Sequence, residues 1–116
     1  MTSQFGLPMS DRNTLALVMT TVASVEDADQ LARSLVDQSL AACVQVDGPI
    51  ISHYRWAGKV ERATEFRLLI KTSQTAWPKL KEKLSKLHPY DEPEIIMLPI
   101  ADVTDGYRDW VIDQTT

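Results

Sequence analysis

The chain has 116 residues, of which 44% are hydrophobic and 24% charged, which is enough for one compact domain with a core and too little for two. Its formal net charge of −4 gives no general attraction to nucleic acid or to anionic lipid, since both reward clustered Lys and Arg. No apolar run approaches the roughly 20 residues that cross a bilayer and the N-terminus lacks a secretory pattern, so we expect a soluble, cytoplasmic protein with no membrane partner.

The chain begins with a segment unlike the rest. Residues 1–13 mix Gly, Pro, Ser and polar side chains without a period, which predicts a flexible extension ahead of a domain over residues 14–116. Residues 14–21 then form an apolar run of strand length. Ser24 is placed to cap a helix, in which apolar side chains recur at spacings of three and four between residues 25 and 40. A strand and an amphipathic helix are therefore predicted first.

The middle of the sequence predicts two strands joined in a long hairpin. Residues 41–46 form a short strand that Asp, Gly and Pro at residues 47–49 interrupt, after which an extended pattern resumes. Ala and Gly at residues 57–58 mark the turn. On the return, apolar and polar side chains alternate up to Thr72, a period of two that only a strand places on opposite faces.

A second helix is predicted after the hairpin. Thr75 offers a cap, and Pro78 is tolerated in the first helical turn. Leucines at helical spacing continue the apolar stripe as far as Leu87. The helix must stop near His88, because Pro89 disfavours a helical residue before it.

The end of the chain completes the fold. Residues 94–100 predict a fourth strand, and Tyr107, Trp110 and Val111 have the spacing of a short closing helix. The order is strand, helix, strand, strand, helix, strand. It predicts the α+β class, as a ferredoxin-like βαββαβ sandwich with an extended hairpin and a short C-terminal helix.

The returning strand of the hairpin is too long for one small domain. Its 13 residues from 60 to 72 extend about 43 Å at about 3.3 Å per residue, whereas the first strand offers about eight residues to pair with. The tip carries Tyr54 and Trp56, and exposing such aromatics on a two-stranded ribbon is costly. We therefore expect self-association. A bulge that folds the hairpin back over its own sheet is the alternative.

Four separated motifs carry a resemblance to a known protein family. They are LARSLVDQSLAACVQV at residues 31–46, SHYRWAGKVERATEFRLLIKT at 52–72, HPYDEPEI at 88–95 and YRDWV at 107–111. Their order and spacing resemble the CutA divalent-cation tolerance family over roughly residues 14–115. The resemblance implies a homotrimer of interlocking hairpins, similar in architecture to PII signalling proteins. It also implies a non-enzymatic role in tolerance of copper and other divalent cations, with no cofactor required.

The resemblance also directs attention to a metal site. Copper binding in the family is attributed to a cysteine at the end of the first strand and to histidines just before a Pro-Tyr pair. Here Thr20 holds the first position and Leu87 precedes His88, so only His88 matches. Because transition-metal affinity needs several converging ligands, Glu92 and Glu94 are the oxygen candidates, and Met19 a soft sulfur candidate, that would complete a site for Cu(II) or another divalent cation. The alternative is a helix-ending histidine that bonds locally.

An intersubunit cleft is the second kind of candidate site. Prolines on both sides of Tyr90 stiffen its segment, which is either a plain connector or the wall of a cleft. Glu65 and Lys71 share a face of the third strand, where they either line that cleft or form an ion pair. The cleft candidates are Tyr54, Trp56, Glu65, Lys71, Tyr90 and Trp110. They favour an alternative function, a PII-like signalling or scaffold trimer that binds a small ligand or a partner protein.

Two further side chains are predicted to be structural. His53 is expected at a polar position of an intersubunit sheet. Cys43 lies in an apolar strand, where a buried core thiol is the default. As the only cysteine it excludes an intrachain disulfide, which agrees with a reducing compartment.

Overall fold

A computed structural model describes residues 14–116, so the extension predicted over residues 1–13 lies outside the described residues. The elements are β1 Leu15–Val22, α1 Val25–Asp37, β2 Cys43–Trp56, β3 Lys59–Ser73, α2 Trp77–Leu87, β4 Ile95–Pro99 and α3 Asp105–Gln114. The four strands form one antiparallel sheet in the order β2-β3-β1-β4. The predicted ferredoxin-like arrangement is confirmed.

One face of the sheet is sealed by α1 and α2. Leu31 and Leu35 of α1, and Leu80 and Leu84 of α2, are spaced four residues apart, which places each pair on one side of its helix. They pack with Val18 of β1 in a core whose members are at most 4% exposed. Burying side chains of this size stabilises the fold by about 2 kcal/mol each. This core fixes where the helices sit over the sheet.

The starts of the two helices differ in how well they were predicted. Ser24 caps α1 as expected, since its Oγ accepts the N–H of Asp27 at 3.1 Å. The prediction that Thr75 caps α2 is wrong. The N-cap is Ala76, which makes no side-chain capping bond, and its own N–H is bound by the Oγ of Ser73 at 3.2 Å. Because β3 runs on to Ser73, that serine stands three residues ahead of Ala76 and takes over as the acceptor.

The hairpin of β2 and β3 extends beyond the rest of the sheet. β1 pairs with β3 at residues 66–73, so within the described chain residues 59–65 have only β2 beside them. This unsupported stretch extends about 23 Å at about 3.3 Å per residue, and the molecule measures 49 × 31 × 22 Å. Tyr54 and Trp56 are 45% and 59% exposed. The hairpin therefore projects and does not fold back over its own sheet.

The interruption predicted at residues 47–49 is a bulge inside one continuous strand, since β2 keeps pairing with β3 on both sides of it. Gly48 has φ +140°. A Cβ at this position would lie 2.9 Å from Phe66 Cδ2 and 3.1 Å from the carbonyl oxygen of Glu65. Glycine is therefore required at the foot of the projecting hairpin, both for its backbone angle and for the close approach of β3.

The second face of the sheet is covered at one end by α3, which buries Val111 against the start of β1. Beyond α3, strand pairing aligns apolar side chains of β4, β1 and β3 across this face, because they alternate with those that face the helices. We call the open face the side chains of Leu17, Met19, Leu69, Ile96 and Leu98. Ile96 and Leu98 remain 44% and 45% exposed. Among the described residues, an apolar sheet surface thus lies uncovered.

Candidate functional site

The segment HPYDEPEI turns the chain from α2 into β4 and brings His88 against the end of β1. His88 has extended backbone (φ −65°, ψ 134°), as the proline after it requires. Its side chain is 7% exposed. The Nε2 atom lies 3.0 Å from Thr20 Oγ1 and 3.0 Å from the carbonyl oxygen of Thr21. The helix therefore ends with its imidazole buried beside the last residues of β1.

The partners of His88 determine its protonation state. The backbone N–H of Tyr90 donates to Nδ1 at 3.1 Å, so Nδ1 carries a lone pair and not a proton. Nε2 then carries the proton and donates it to the Thr21 carbonyl. Burial lowers the pKa of His88, while the bond to Thr21 and the charges of Asp27 and Glu65 act in the opposite direction with smaller effect. The ring is therefore a neutral imidazole with one defined tautomer.

Tyr90 connects this histidine to the foot of the hairpin. Its ring lies 5.0 Å from the His88 ring at an angle of 56°, and its hydroxyl donates to Glu65 Oε2 at 2.8 Å. Glu65 is 9% exposed and stands just beyond the last pairing of β1 with β3. We call Thr20, Thr21, Glu65, His88 and Tyr90 the corner cluster. The cluster joins the end of β1, the segment after α2 and the hairpin.

The acid and the phenol of the corner cluster have opposite pKa shifts. Burial alone raises the pKa of the Glu65 carboxyl, but hydrogen bonds from Ser52, Tyr90 and Thr21 outweigh it and hold that pKa below its usual value. Burial, followed by the bond to Glu65, raises the pKa of the Tyr90 phenol. Near neutral pH the pair is therefore a carboxylate that accepts and a neutral phenol that donates.

We expect acid to weaken the fold through this cluster. The folded-state pKa of His88 lies below its usual value of 6.5, so the unfolded chain binds this proton more readily. The stability contributed by neutral His88 is complete above pH 6.5 and is lost as the pH falls through the folded pKa; Glu65 adds a second loss below its usual value of 4.5. Denaturant midpoints measured from pH 8 to pH 3 test this.

The first decline in stability on acidification is expected to depend on His88 alone. In a His88→Gln variant the decline between pH 6.5 and the folded pKa should be absent, while the decline at lower pH remains. A wild-type midpoint that stays constant until the carboxyl range would contradict the assignment of a buried neutral His88.

The residues around His88 do not fit a copper centre. Both ring nitrogens are occupied by hydrogen bonds, and Glu92 and Glu94 are exposed to solvent. The charge of Glu94 acts on Arg67, which is bound to Asp47 at 2.9 Å. In residues 14–116 no three or more His, Cys, Asp or Glu side chains lie close enough together to hold a metal ion. A metal at His88, Glu92 or Glu94 stays a prediction from the resemblance.

The remaining cleft candidates are dispersed. Lys71 hydrogen-bonds the side chain of Gln45 on β2 and forms no ion pair with Glu65 among the described residues. Tyr54 and Trp56 lie near the hairpin tip, exposed. Trp110 contacts its α3 neighbour Tyr107 in a tilted arrangement, with ring centres 5.6 Å apart, at the opposite end of the sheet. Of the six candidates, only Glu65 and Tyr90 are hydrogen-bonded to each other in one chain, while Tyr54 lies near enough for its charge to contribute to the raised pKa of Tyr90.

The prediction of a core position for Cys43 is wrong. The thiol is half-buried, because strand alternation places it on the side of the sheet that α3 partly covers. There it faces Tyr107, whose pKa is raised by burial and, to a smaller extent, by Cys43. His53 lies exposed on the projecting hairpin.

Two members of the corner cluster escaped the sequence analysis. The sequence marks Thr20 only as standing where the resemblance expects a cysteine, and it indicates no role for Thr21. The available signal was two threonines ending an apolar strand, both 8% exposed or less in the fold. Buried hydroxyls need partners, and His88 supplies one for Thr20.

These features define a class of protein: a ferredoxin-like domain whose hairpin strand β3, with 15 residues, is nearly twice as long as the 8-residue β1 it pairs with. None of the helices within residues 14–116 has the length and apolar content to span a membrane. The family model described as CutA1 divalent ion tolerance protein matches residues 16–114. The chain belongs to this family.

Relatives with known names agree. The divalent-cation tolerance protein CutA of Thermus thermophilus is 46% identical over 99 residues, which span 85% of this chain and 96% of the relative. The chloroplastic protein CutA of Arabidopsis thaliana is 41% identical over 85% of this chain and 54% of its own length. The solved structure of the periplasmic divalent cation tolerance protein CutA from Archaeoglobus fulgidus superposes with a TM-score of 0.84 at 31% identity, over 88% of this chain and 99% of that one.

Proposed function

We propose that this chain is a non-enzymatic divalent-cation tolerance protein that works as a homotrimer. The observation that carries the proposal is the open face, together with the exposed aromatic tip of the projecting hairpin. In one copy these surfaces leave Ile96, Leu98 and Trp56 between 44% and 59% exposed. Soluble monomers rarely leave large apolar patches exposed, so another copy is the simplest cover for both surfaces.

The edges of the sheet support the same conclusion. β2 and β4 are its outer strands, and residues 59–65 of β3 have no strand on their second side within the described chain. Exposed edges present unpaired backbone N–H and C=O groups that a second chain can bind. Association through hairpins therefore satisfies backbone groups and buries apolar surface together. The number three follows from the family resemblance.

The corner cluster supports a second candidate function, the binding of a small ligand or partner protein in clefts between copies. Tyr90 is partly buried and hydrogen-bonded to the foot of the hairpin, the part that a neighbour would cover. A cleft beside it would place a rigid phenol and a buried carboxylate in reach of a ligand. A ligand of this kind would raise the melting temperature of the assembly. For the working compartment we propose the cytoplasm, in keeping with the single cysteine.

Growth under metal stress tests the proposed function. In a bacterial strain that lacks its own protein of this family, the wild-type chain should restore growth at raised Cu(II). Ile96→Glu, which places a charge on the open face, should fail, and Val36→Glu on α1, on the opposite side of the sheet, should succeed. Growth no better than that of the empty vector, with the chain expressed and folded, would contradict the proposal.

A further inference from the structure

We propose that His88 is a positioning residue that holds the segment after α2 and aims Tyr90 at Glu65, and that Cu(II) bound by this chain is not coordinated by His88. The inference rests on hydrogen-bond geometry in one copy, and it does not depend on the proposed function or on the number of copies.

The first step concerns the two ring nitrogens. A metal ion needs an imidazole lone pair, and the lone pair of this tautomer is on Nδ1, which accepts the Tyr90 N–H at 3.1 Å. Nε2 has its proton directed at the Thr21 carbonyl, 3.0 Å away. Coordination at either nitrogen would leave a buried backbone group without its partner, which is unfavourable. Ligands from another copy would not change this, because the lone pair itself is engaged.

The second step concerns access. The side chain of His88 is 7% exposed and lies between the end of β1 and the Tyr90 ring, 5.0 Å away. The nearest oxygen at Nε2 besides Thr21 is the hydroxyl of Thr20, at 3.0 Å, which is a weak ligand for copper when protonated. The acidic side chains in the same segment, Glu92 and Glu94, are exposed. A metal ion thus finds neither room nor a donor set around this ring.

The third step explains what the histidine does. Its Nδ1 fixes the backbone of Tyr90 two residues on, and the tilted contact of the two rings sets the direction of the phenol. The hydroxyl then reaches Glu65 at 2.8 Å, across 25 residues of sequence. The buried His88 imidazole thus connects the end of α2 to β1 by hydrogen bonds and orients the hydrogen bond from Tyr90 to Glu65 on the hairpin.

Nitrogen NMR of wild-type protein tests the inference directly. Long-range proton–nitrogen correlations should show His88 as the neutral tautomer protonated at Nε2, and addition of one equivalent of Zn(II), a diamagnetic substitute for Cu(II), should leave both His88 nitrogen signals in place. A shift of either nitrogen into the range of a metal-bound imidazole would overturn it. This measurement needs no variant, so it stands even if substitutions impair folding.

Two variants separate positioning from packing. In His88→Gln the NMR-measured pKa of Glu65 should rise toward the value that Glu65 has in Tyr90→Phe. In His88→Asn the amide oxygen can still accept the Tyr90 N–H, so the pKa of Glu65 should stay nearer to its wild-type value. The Cu(II) affinity and the Cu(II) paramagnetic resonance spectrum should match wild type within about twofold in His88→Gln and Tyr90→Phe. A tenfold loss of Cu(II) affinity in His88→Gln with none in Tyr90→Phe would overturn the inference.

Discussion

Replacing Ile96 with glutamate is expected to break the assembly and to lower its melting temperature by more than about 10 °C. Ile96 lies on the β4 side of the open face, paired with Met19 across β4 and β1. Where the proposed interface buries this carboxylate, the cost is several kcal/mol in each copy, on the order of 3 or more. Light scattering and thermal unfolding at equal protein concentration measure the effect.

Val36→Glu is the matched control for this substitution. Val36 is 44% exposed, the same fraction as Ile96, but it lies on α1, on the opposite side of the sheet from the open face, where it borders a groove with Ala32 and Val44. Its substitution should leave the particle mass unchanged and shift the melting temperature by no more than about 2 °C. Equal behaviour of the two variants would contradict the view that the open face is an interface.

Removing the Glu65 side chain is expected to lower the free energy of unfolding by about 2–3 kcal/mol. In Glu65→Ala the hydroxyl of Tyr90 and those of Ser52 and Thr21 lose their acceptor in a mostly buried place. Leaving buried polar groups without partners costs more than the hydrogen bond itself contributed. Chemical unfolding at fixed protein concentration measures the loss.

Two further variants, Tyr90→Phe and Glu92→Ala, show whether the loss in Glu65→Ala comes from the corner cluster. Tyr90→Phe should cost about 1 kcal/mol, and its combination with Glu65→Ala should cost less than the sum, because both changes remove the same bond. Glu92→Ala removes an exposed carboxylate from the segment that contains Tyr90 and should stay within about 0.5 kcal/mol of wild type. A Glu65→Ala loss no larger than that of Glu92→Ala would show that the corner cluster is not a stabilising network.

The architecture was predictable because its signals are local. Alternation over β3, the helical stripes of α1 and α2, and the Ser24 cap each depend on neighbours within a few residues. The mismatch in length between β3 and β1 required only counting. This mismatch in length alone predicts that the hairpin projects from the sheet.

The corner cluster could not be predicted because its contacts are distant in sequence. His88 meets Thr20 and Thr21 across 68 and 67 residues, and these contacts depend on how α2 docks on the sheet. The resemblance directed attention to the imidazole as a metal ligand, since a sequence shows the residue type and not the use of its lone pairs. The prediction of a core position for Cys43 was wrong for a related reason, because the burial of this thiol depends on which face of β2 is covered.

The molar mass of the wild-type protein in solution tests the central claim most directly. Because the open face and the projecting hairpin need another copy to cover them, light scattering at micromolar concentration should report about three times the chain mass of 13.0 kDa. A folded particle of 13.0 kDa that keeps a cooperative thermal transition at this concentration would contradict the account, since a single copy would then tolerate its exposed apolar sheet.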